Sequence, residues 1–369
     1  MTFLEIAQIL FAIPTAPYRE QWMSRALLEI LRSWSDVEVA EDRWGNIVAR
    51  LRRGETGLAP VAYVAHLDHP GVFVETVDGC RVQARFEGFV TPEFLKGAAV
   101  RLFRSPDDAG IRGQISEVGE RNWPGRERRI VIEAESPAEG AVLGMFDLEP
   151  IRIDGDRLWG RAVDDLGGCA AILAALALAR ESQEPVDLIA VFTRAEEAGF
   201  RGALLLCEEE AEAPRLLPRE AWVISVETSS ARPHVAVGDG AVLRVGDRRT
   251  IFDPGITLAF GQVGEAIAED LGCRPLVRAL MDGGTCEASV FNHAGWRSGG
   301  VCLPLGNYHN MNRENGRIEE EYVSLRDAED VVRMMASVAL RSDLRRRAAE
   351  EMATEFRELT EDARSKLTI

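Results

Sequence analysis

Two adjacent carboxylates, Asp164 and Asp165, lie at a point in the sequence that is well suited to metal chemistry. They belong to the segment GRAVDDLGG (160–168), where a β-rich stretch ends and a helix of small apolar residues begins. A helix N-terminus favours negative charge, and an Asp before a helix commonly caps it. A carboxylate there can also hold a divalent metal, or bridge two metals with its two oxygens. The rest of the chain decides between capping and metal binding.

Further candidate ligands follow the strands that the sequence predicts. In chain order they are His66, Asp68, Glu196, Glu197, Glu227 and His309. In open α/β sheets, ligands bind at the carboxyl ends of the strands, so we expect these side chains to meet at one edge. Imidazoles and carboxylates gathered in this way form the donor set of a dinuclear zinc site. His66 and His309 taken singly are ordinary structural histidines, but with the carboxylates they favour a metal centre.

The spacing of these residues suggests separate roles. Residues i and i+2 of an extended segment share a face, so Asp68 can accept a hydrogen bond from the ring of His66 and orient it as a ligand. Adjacent residues point in opposite directions, so Glu197 can bind metal while Glu196 faces the open side. A carboxylate above a metal-bound water can act as general base and then as general acid. For His69, placement in an ordinary loop is favoured over support of a ligand.

Most of the chain has the alternating pattern of an α/β fold. Before residue 71, the pattern predicts helices at 2–13 and 17–34, a hairpin at 37–51 and a strand at 60–65. Later predicted helices are 165–182, 203–211, 261–271 and 325–340, and later predicted strands are 186–193, 221–226, 276–281 and 299–303. The strands are apolar on both faces. We therefore expect residues 1–70 and 157–345 to form a three-layer α/β domain with a mostly parallel sheet.

Residues 71–156 differ in character from the rest. Short alternating runs at 72–77, 81–86, 98–103 and 130–135 are separated by turn signals such as Asp78-Gly79, and no helical period stands out. This pattern predicts a small, barrel-like β domain inserted into the α/β domain. Residues 346–369 are predicted to form a charged helix. Its apolar stripe, which includes Phe356, Leu359 and Leu367, is expected to pack on the α/β domain.

Composition argues against several classes of partner. The 369 residues carry a formal net charge of −17, which disfavours nucleic acid and anionic membrane surfaces. The six cysteines form no CxxC pair, as expected for free thiols in a reducing compartment. The N-terminus is a poor signal peptide, because Glu5 interrupts its apolar run, and no segment has the roughly 18 apolar residues of a membrane span. We therefore expect a cytoplasmic protein.

The order of the motifs HLD, AVDD, EEAGFRG, SVET and GNYH resembles that of the glutamyl or deblocking aminopeptidases, a family of two-zinc exopeptidases that includes the tetrahedral aminopeptidases. The resemblance extends to EDRWGNIVA, GMFDLEPIRIDGDRLWGRAVDD and MDGGTCEASVFNHAG. Related carboxypeptidase-like amidohydrolases carry their extra domain between the positions of Glu227 and His309. The aminopeptidases carry a β domain between the positions of His66 and Asp164. The β insertion predicted at 71–156 favours the aminopeptidase branch.

The resemblance implies a ligand set for each of two divalent metal ions, with zinc favoured over cobalt or manganese. His66, Asp164 and Glu227 resemble the ligands of one ion. Asp164, Glu197 and His309 resemble those of the other, with Asp164 as the bridge between them. The family also implies a cis peptide after the bridging residue.

Roles outside the ligand sets follow from the same resemblance. Asp68 resembles the orienting carboxylate, and Glu196 resembles the general base that acts on a bridging metal-bound water. The loops at Gly284, Thr285 and Tyr308 are expected to form the substrate pocket. The implied partners are peptides with a free N-terminus and further copies of the chain, in an assembly between a dimer and a dodecamer.

The sequence departs from the family pattern in three places. Leu166 stands where the family has Arg, and Glu227 stands where the aminopeptidases have Asp. The segment GNYHNMN, which starts at Gly306-Asn307, replaces Arg-Tyr-x-His-Ser-Pro. Metal ligands are kept, while positions near the substrate and the subunit contacts differ. Two alternatives therefore remain open: an amidohydrolase or deacylase of N-acyl amino acids or small peptides, and a catalytically silent assembly subunit.

Overall fold

A computed structural model describes residues 1–122, 127–208 and 216–367 of the chain. Its helices are α1 (Phe3–Ala12), α2 (Gln21–Arg32), α3 (Pro92–Leu95), α4 (Val163–Glu181), α5 (Arg201–Cys207), α6 (Pro254–Leu271), α7 (Glu287–His293), α8 (Leu325–Leu340) and α9 (Ser342–Leu367). Its strands are β1 (Val37–Glu41), β2 (Ile47–Arg53), β3 (Val61–His66), β4 (Gly71–Asp78), β5 (Arg81–Glu87), β6 (Ala99–Phe103), β7 (Ile111–Arg121), β8 (Arg128–Ala134), β9 (Leu143–Phe146), β10 (Ile151–Asp154), β11 (Arg157–Gly160), β12 (Val186–Thr193), β13 (Trp222–Ser230), β14 (Val242–Gly246), β15 (Val277–Leu280), β16 (Arg297–Leu305), β17 (Met311–Asn312), β18 (Arg317–Ile318) and β19 (Glu321–Ser324).

The main sheet has the strand order β1-β2-β12-β3-β13-β16-β14-β15. β3 pairs in parallel with both β12 and β13, and β13 pairs in parallel with β16. β3 is buried along its whole length and β12 along nearly all of it. Continuous apolar strands of this kind are typical of a sheet covered on both faces. The predicted mostly parallel α/β sheet is confirmed.

Helices cover both faces of this sheet. Val61, Tyr63 and Ala65 of β3 belong to the core that includes α1, α4 and α8, whereas Ala62 and Val64 belong to the core that includes α5 and α7. Successive residues of a strand point to opposite faces, so β3 is the middle of three layers. α4 is apolar all round because it is enclosed among β3, α1 and α8. The carboxyl end of β3 therefore opens at the edge of the sheet.

A closed β-barrel is inserted between β3 and α4. Its strands are ordered β4-β5-β8-β7-β6-β9 and come from residues 71–146. Alternate residues such as Val82, Ala84 and Phe86 point into a core that is separate from that of the main sheet and to which Met311 also contributes. The predicted inserted β domain is thus confirmed. The sequence pattern misses β7, because a register shift between Ile115 and Glu117 breaks its alternation and its second half is largely exposed.

Several element bounds differ from the sequence-based expectations. α2 begins at Gln21 rather than at residue 17, because Tyr18 takes a left-handed φ of 66° and the Glu20 carboxylate accepts the Ala195 N–H at 2.9 Å. α6 begins at Pro254, where the Asp253 side chain accepts the Ile256 N–H. α5 ends at Cys207, and part of the helix expected at 203–211 lies outside the described residues.

The apolar stripe of α9 is only partly covered. Leu344 packs against the main core, and Arg345 donates a hydrogen bond to the Ala59 carbonyl at 2.7 Å. Farther along the helix, Phe356, Leu359 and Leu367 are 58%, 55% and 78% exposed. The expectation that the whole stripe packs on the α/β domain is therefore wrong for its distal part. Among the helices described, none combines the length and the apolar character that a bilayer span requires.

Candidate metal centre

The candidate ligands lie at the carboxyl-terminal edge of the main sheet. His66 is the last residue of β3, and Glu197 lies in the turn after β12. Glu227 lies within β13, which continues to Ser230 instead of ending before Glu227 as expected. Asp164 lies in the first turn of α4, and His309 lies in the turn after β16. All of these side chains are buried.

The structure brings these residues together as two groups that share Asp164. In one group, ligand atoms of His66, Asp164 and Glu227 lie within 4.8 Å of one another. In the other, those of Asp164, Glu197 and His309 lie within the same limit. The two carboxylate oxygens of Asp164 face different histidines: Oδ1 is 3.6 Å from Nε2 of His66 and Oδ2 is 3.6 Å from Nε2 of His309. Asp164 is thus placed between the two groups.

The donor set fits divalent cations. Ligand atoms bound tetrahedrally at about 2.0–2.1 Å are roughly 3.3 Å apart, and the Nε2 of His309 lies 2.9 Å from Glu197 and 3.6 Å from Asp164. A separation of 3.6 Å is too long for a hydrogen bond. The buried Nε2 of His309 makes no hydrogen bond to any residue that the structure describes. A cation between these atoms would satisfy the nitrogen and neutralise the buried carboxylates.

Main-chain carbonyls orient both histidine rings. Nδ1 of His66 lies 3.0 Å from the Asp68 carbonyl oxygen, whereas the Asp68 carboxylate is 3.7 Å away. The prediction that His66 donates to the Asp68 carboxylate is therefore wrong, because the accepting atom is the main-chain oxygen of the same residue. Nδ1 of His309 lies 2.6 Å from the carbonyl oxygen of Phe89, which belongs to the inserted barrel region. A carbonyl partner at Nδ1 requires Nδ1–H, so in the neutral ring Nε2 is left free to bind metal.

The Asp68 carboxylate instead anchors the turn that carries the two glutamates. Its Oδ1 accepts the Glu196 N–H at 2.9 Å, and its Oδ2 accepts the Glu197 N–H at 3.0 Å. Oε2 of Glu196 lies 3.9 Å from Nε2 of His66, and Oε1 of Glu197 lies 2.9 Å from Nε2 of His309. The adjacent glutamates are thus close to different histidines, but ligand atoms of both lie within 4.8 Å of each other and of His66, so the two side chains do not point in opposite directions as expected.

The backbone of Asp164 is held on both sides. The peptide bond between Asp164 and Asp165 is cis, which confirms that expectation. The Asp164 carbonyl contacts Nδ1 of His69, whose Nε2 lies 2.9 Å from the side-chain oxygen of Asn310. His69 is fully buried, so the expectation of an ordinary loop residue is wrong. On the other side, the Asp164 N–H donates to the carboxylate of Glu321 at 2.9 Å.

The same Glu321 carboxylate also supports His309. Its second oxygen accepts the His309 N–H at 2.7 Å. His309 has a φ of 55°, in the left-handed region, which costs roughly 1–2 kcal/mol for a residue with a Cβ. Glu321 is fully buried and pairs with Gly160 where β19 meets β11. A carboxylate of β19, which is itself held by pairing with β11, thus stabilises an unfavourable backbone conformation at a candidate ligand.

The pKa values of Asp164 and Glu196 are shifted in opposite directions. Burial raises the pKa of Glu196 well above its ordinary value, and the neighbouring Glu197 and Glu227 raise it further against the attraction of His66. Burial also acts to raise the pKa of Asp164, but the imidazoles of His309 and His66 outweigh it and lower that pKa. The environment keeps Asp164 ionised and makes Glu196 a stable place for a proton.

The metal centre opens onto a cavity of about 1230 Å³. Gly284, Thr285 and Tyr308, the residues expected in the substrate pocket, all line this cavity. A Cβ at Gly284 would meet no atom within 4 Å, so the wall is open there. The ring of Tyr308 stacks on that of His309 with centroids 3.8 Å apart. Phe89 and Arg121 bring the barrel into the same wall.

One wall of the cavity is rich in arginine. The arginines that line the cavity are Arg121, Arg232, Arg244, Arg248, Arg249 and Arg313. Arg244 is 3% exposed, and its Nη1 donates a long hydrogen bond of 3.3 Å to the Ser229 hydroxyl. Its Nε has no hydrogen-bond partner among the described residues. Glu227 and Asp247 stabilise its charge from a distance, and the described part of the chain places no carboxylate within ion-pair distance of it.

Sequence reasoning misses three residues of this site. His69 stands beside the HLD motif, and that proximity is the signal that could have assigned it. Arg244 is a charged residue in an otherwise apolar strand, and Glu321 ends an acidic run. Leu166, which replaces the family's Arg, is fully buried in the main core. It therefore cannot reach the cavity wall.

Comparisons with known proteins agree with the geometry. A model of the M42 glutamyl aminopeptidase family matches residues 45–333. The aminopeptidase APDkam598 from the archaeon Desulfurococcus kamchatkensis is 23% identical, with a TM-score of 0.72 over 93% of this chain and 96% of that chain. The TET1 peptidase of Pyrococcus horikoshii is 19% identical, with a TM-score of 0.71 over 92% of this chain and 100% of that chain. A TET aminopeptidase from a marine sediment archaeon of the Thaumarchaeota is 19% identical, with a TM-score of 0.72 over 92% and 97% of the respective chains. At these identities, the structural likeness establishes the fold.

Proposed function

The chain belongs to the M42 glutamyl aminopeptidase family, and we propose that it is a metal-dependent aminopeptidase that removes residues from the N-termini of peptides. The observation that carries this proposal is the pair of ligand groups that share Asp164. His66, Asp164 and Glu227 would hold one divalent ion, and Asp164, Glu197 and His309 would hold the other. Zinc suits imidazole and carboxylate donors in sites that leave a coordination position open to substrate, and cobalt or manganese are the alternatives.

When bound, the metal ions supply Lewis-acid polarisation of the scissile carbonyl and activation of a water nucleophile. Glu196 takes the proton from the attacking water and passes it to the leaving amine. Asp68 fixes the main chain of Glu196 and so limits where this carboxylate can reach.

The charge of the cavity supports a substrate with a free N-terminus. Glu196, which is assigned to neither ligand group, lines the cavity together with the proposed ligands Glu197 and Glu227. An α-ammonium group placed there gains charge-assisted hydrogen bonds that an N-acylated residue cannot make. This difference favours the aminopeptidase over the deacylase, which acts on a blocked N-terminus.

We also propose that the first residue of a preferred substrate is acidic. Arg244 lines the cavity with an almost fully buried guanidinium, whose Nη1 makes only a long hydrogen bond of 3.3 Å to the Ser229 hydroxyl. A buried charge is costly unless it is paired, and the planar guanidinium matches a carboxylate in two-point hydrogen bonding. A glutamyl or aspartyl side chain supplies that carboxylate. Arg248 and Arg249 line the same cavity and add positive charge.

The function is tested by metal content and by hydrolysis of glutamyl-p-nitroanilide before and after chelation. We expect about two metal ions per chain, loss of activity on chelation, and recovery when zinc is returned. N-acetylglutamyl-p-nitroanilide is the matched substrate and should not be cleaved. Cleavage of N-acyl amino acids without cleavage of free-amine substrates would favour the deacylase. A protein that takes up no metal from supplied zinc or cobalt would point to the silent assembly subunit.

Two further properties belong to the same proposal. We infer a homo-oligomer, supported by the TET1 relative, which can assemble into a tetrahedron or a large octahedral shell. Light scattering on the purified protein tests this, and a monomer at micromolar concentration contradicts it. We also infer a reducing compartment such as the cytoplasm, supported by cysteines that are all free of disulfides.

A further inference from the structure

One carboxylate connects residues of the shared ligand group that are distant in sequence. Oε2 of Glu321 accepts the Asp164 N–H at 2.9 Å, and Oε1 accepts the His309 N–H at 2.7 Å. Both distances are those of good hydrogen bonds. The two oxygens of a single side chain therefore set the separation between two main-chain segments, one in the first turn of α4 and the other in the turn after β16.

The position of Glu321 is itself fixed by the fold. The residue is fully buried and begins β19, which pairs with β11 so that Glu321 lies opposite Gly160. β11 ends just before the segment that carries Asp164. Glu321 is thus held by a strand pairing on the Asp164 side and reaches across to His309. A carboxylate is required for this contact, because both of its contacts are with N–H donors and both of its oxygens must accept.

We propose that Glu321 is a positioning residue for metal binding by Asp164, Glu197 and His309. The inference rests on the proposed metal site, since it concerns the affinity of that ligand group. His309 depends on Glu321 more than Asp164 does. The main chain of Asp164 is also contacted by His69, whereas the second contact of His309, from the Phe89 carbonyl, is to its ring and leaves its left-handed main chain to Glu321. Loss of the Glu321 carboxylate should therefore lower the affinity for the ion at His309 more than the affinity for the ion at His66.

Glu321→Gln is the sharpest variant for testing this role. The amide keeps one accepting oxygen and replaces the other with an N–H₂ group, so one of the two N–H donors would face another donor. The neighbouring Glu320→Gln is the matched control. It removes the same charge from a partly exposed side chain whose carboxylate accepts an exposed Glu149 N–H at 3.3 Å.

The measurement is titration of the metal-free, full-length protein with Co²⁺, followed by calorimetry and by the visible absorption of the bound ion. His309→Ala and His66→Ala first identify which binding step belongs to which group. We expect Glu321→Gln to weaken the step lost in His309→Ala by about 10- to 100-fold, the usual effect of removing a residue that supports a ligand. The step lost in His66→Ala should change much less, and Glu320→Gln should bind as wild type does.

Equal affinities of Glu321→Gln and wild type would overturn the proposal, and so would equal weakening of both steps. If Glu321→Gln does not fold, Glu321→Asp provides the test. Its shorter side chain keeps both accepting oxygens but moves them away from the two N–H groups. Weakening of the His309 step in that variant supports the role, and wild-type binding contradicts it. Failure of the proposed metal site looks different, because the wild-type protein itself would then bind no metal, and failure of the aminopeptidase assignment alone would appear in the substrate assays and leave this titration unchanged.

Discussion

The Asp68 carboxylate accepts the main-chain N–H of Glu196 at 2.9 Å, and thereby fixes the residue that we assign as general base. Its other oxygen accepts the N–H of the following residue, Glu197. Asp68 is fully buried and therefore cannot exchange these partners for water. A single carboxylate thus positions both the proposed base and a proposed metal ligand through their backbone.

Asp68→Asn is expected to lower kcat for glutamyl-p-nitroanilide by about 10- to 100-fold, the usual effect of disturbing a support of catalytic ligands. The reason is that the amide keeps one accepting oxygen and turns an N–H₂ group toward the other of the two N–H donors, so the turn that carries Glu196 must shift. Asp78→Asn, at an exposed position in the barrel, is the control and should be neutral. A fully active Asp68→Asn enzyme would show that this turn is held by other contacts.

Glu196→Gln is expected to lower kcat by roughly 10²- to 10⁴-fold, the usual contribution of a general base. Metal content, measured by mass spectrometry of the dialysed protein, should stay at the wild-type level, because Glu196 is assigned to neither ligand group. Glu197→Gln is the comparison and should lose metal as well as activity. Retention of wild-type activity in Glu196→Gln would sink the proposed mechanism.

Arg244→Met is expected to reduce kcat/KM for glutamyl-p-nitroanilide by about 10- to 100-fold, which corresponds to the loss of one charged hydrogen-bonding partner. The value for leucyl-p-nitroanilide should stay the same or rise, because its apolar side chain gains nothing from a buried cation. Arg278→Met removes the same charge at an exposed position outside the cavity and should change neither value. An equal loss on both substrates would show that Arg244 supports the site as a whole.

Glu87 makes stability depend on pH. Its carboxylate oxygens are buried without hydrogen-bond partners in the described part of the chain, and Nη1 of Arg85 is 3.5 Å away. Burial raises the pKa of Glu87 to about 7, against about 4.3 in an unfolded chain. The unfolded state therefore ionises first, and the free energy of unfolding falls by about 3 kcal/mol as the pH rises from roughly 4.5 to 7.

Glu87→Gln should remove this dependence. Urea unfolding should be measured at pH 4.5 and pH 8. Relative to wild type, the free energy of unfolding of the variant is expected to be higher at pH 8 than at pH 4.5. Glu139→Gln, at an exposed position in the same barrel, is the control. The metal-free protein is preferred for both variants, because metal affinity has its own pH dependence. Equal differences from wild type at the two pH values would contradict the assignment.

The ligand positions are predictable because they are coupled to the ends of apolar strands. His66 ends β3, and the Glu196-Glu197 pair follows β12, so hydrophobic pattern and residue type point to the same place. The β insertion is predictable for a similar reason, since period-two alternation with turn signals replaces the helical period. The exact bounds of helices and strands are not predictable, because they depend on local features such as the register shift in β7 and the left-handed φ of Tyr18.

The supporting residues are harder to predict, because their roles consist of contacts with distant main-chain atoms. His69 meets the carbonyl of Asp164 and Glu321 meets its N–H, and a main-chain group leaves no signature in the sequence. Glu321 is also the last of three consecutive glutamates, of which it alone is fully buried. The prediction that His66 binds the Asp68 carboxylate is wrong for the same reason, because the ring is hydrogen-bonded to the main-chain carbonyl of Asp68 instead.

The contact from Glu321 to Asp164 and His309 has a consequence for biosynthesis. His66 is translated long before β19, and the whole barrel is translated between His66 and Asp164. A nascent chain that ends before Glu321 lacks the group that holds His309 in its left-handed conformation. If Glu321 has the proposed role, the His309 side of the proposed metal site would therefore be completed only after β19 has been made and paired.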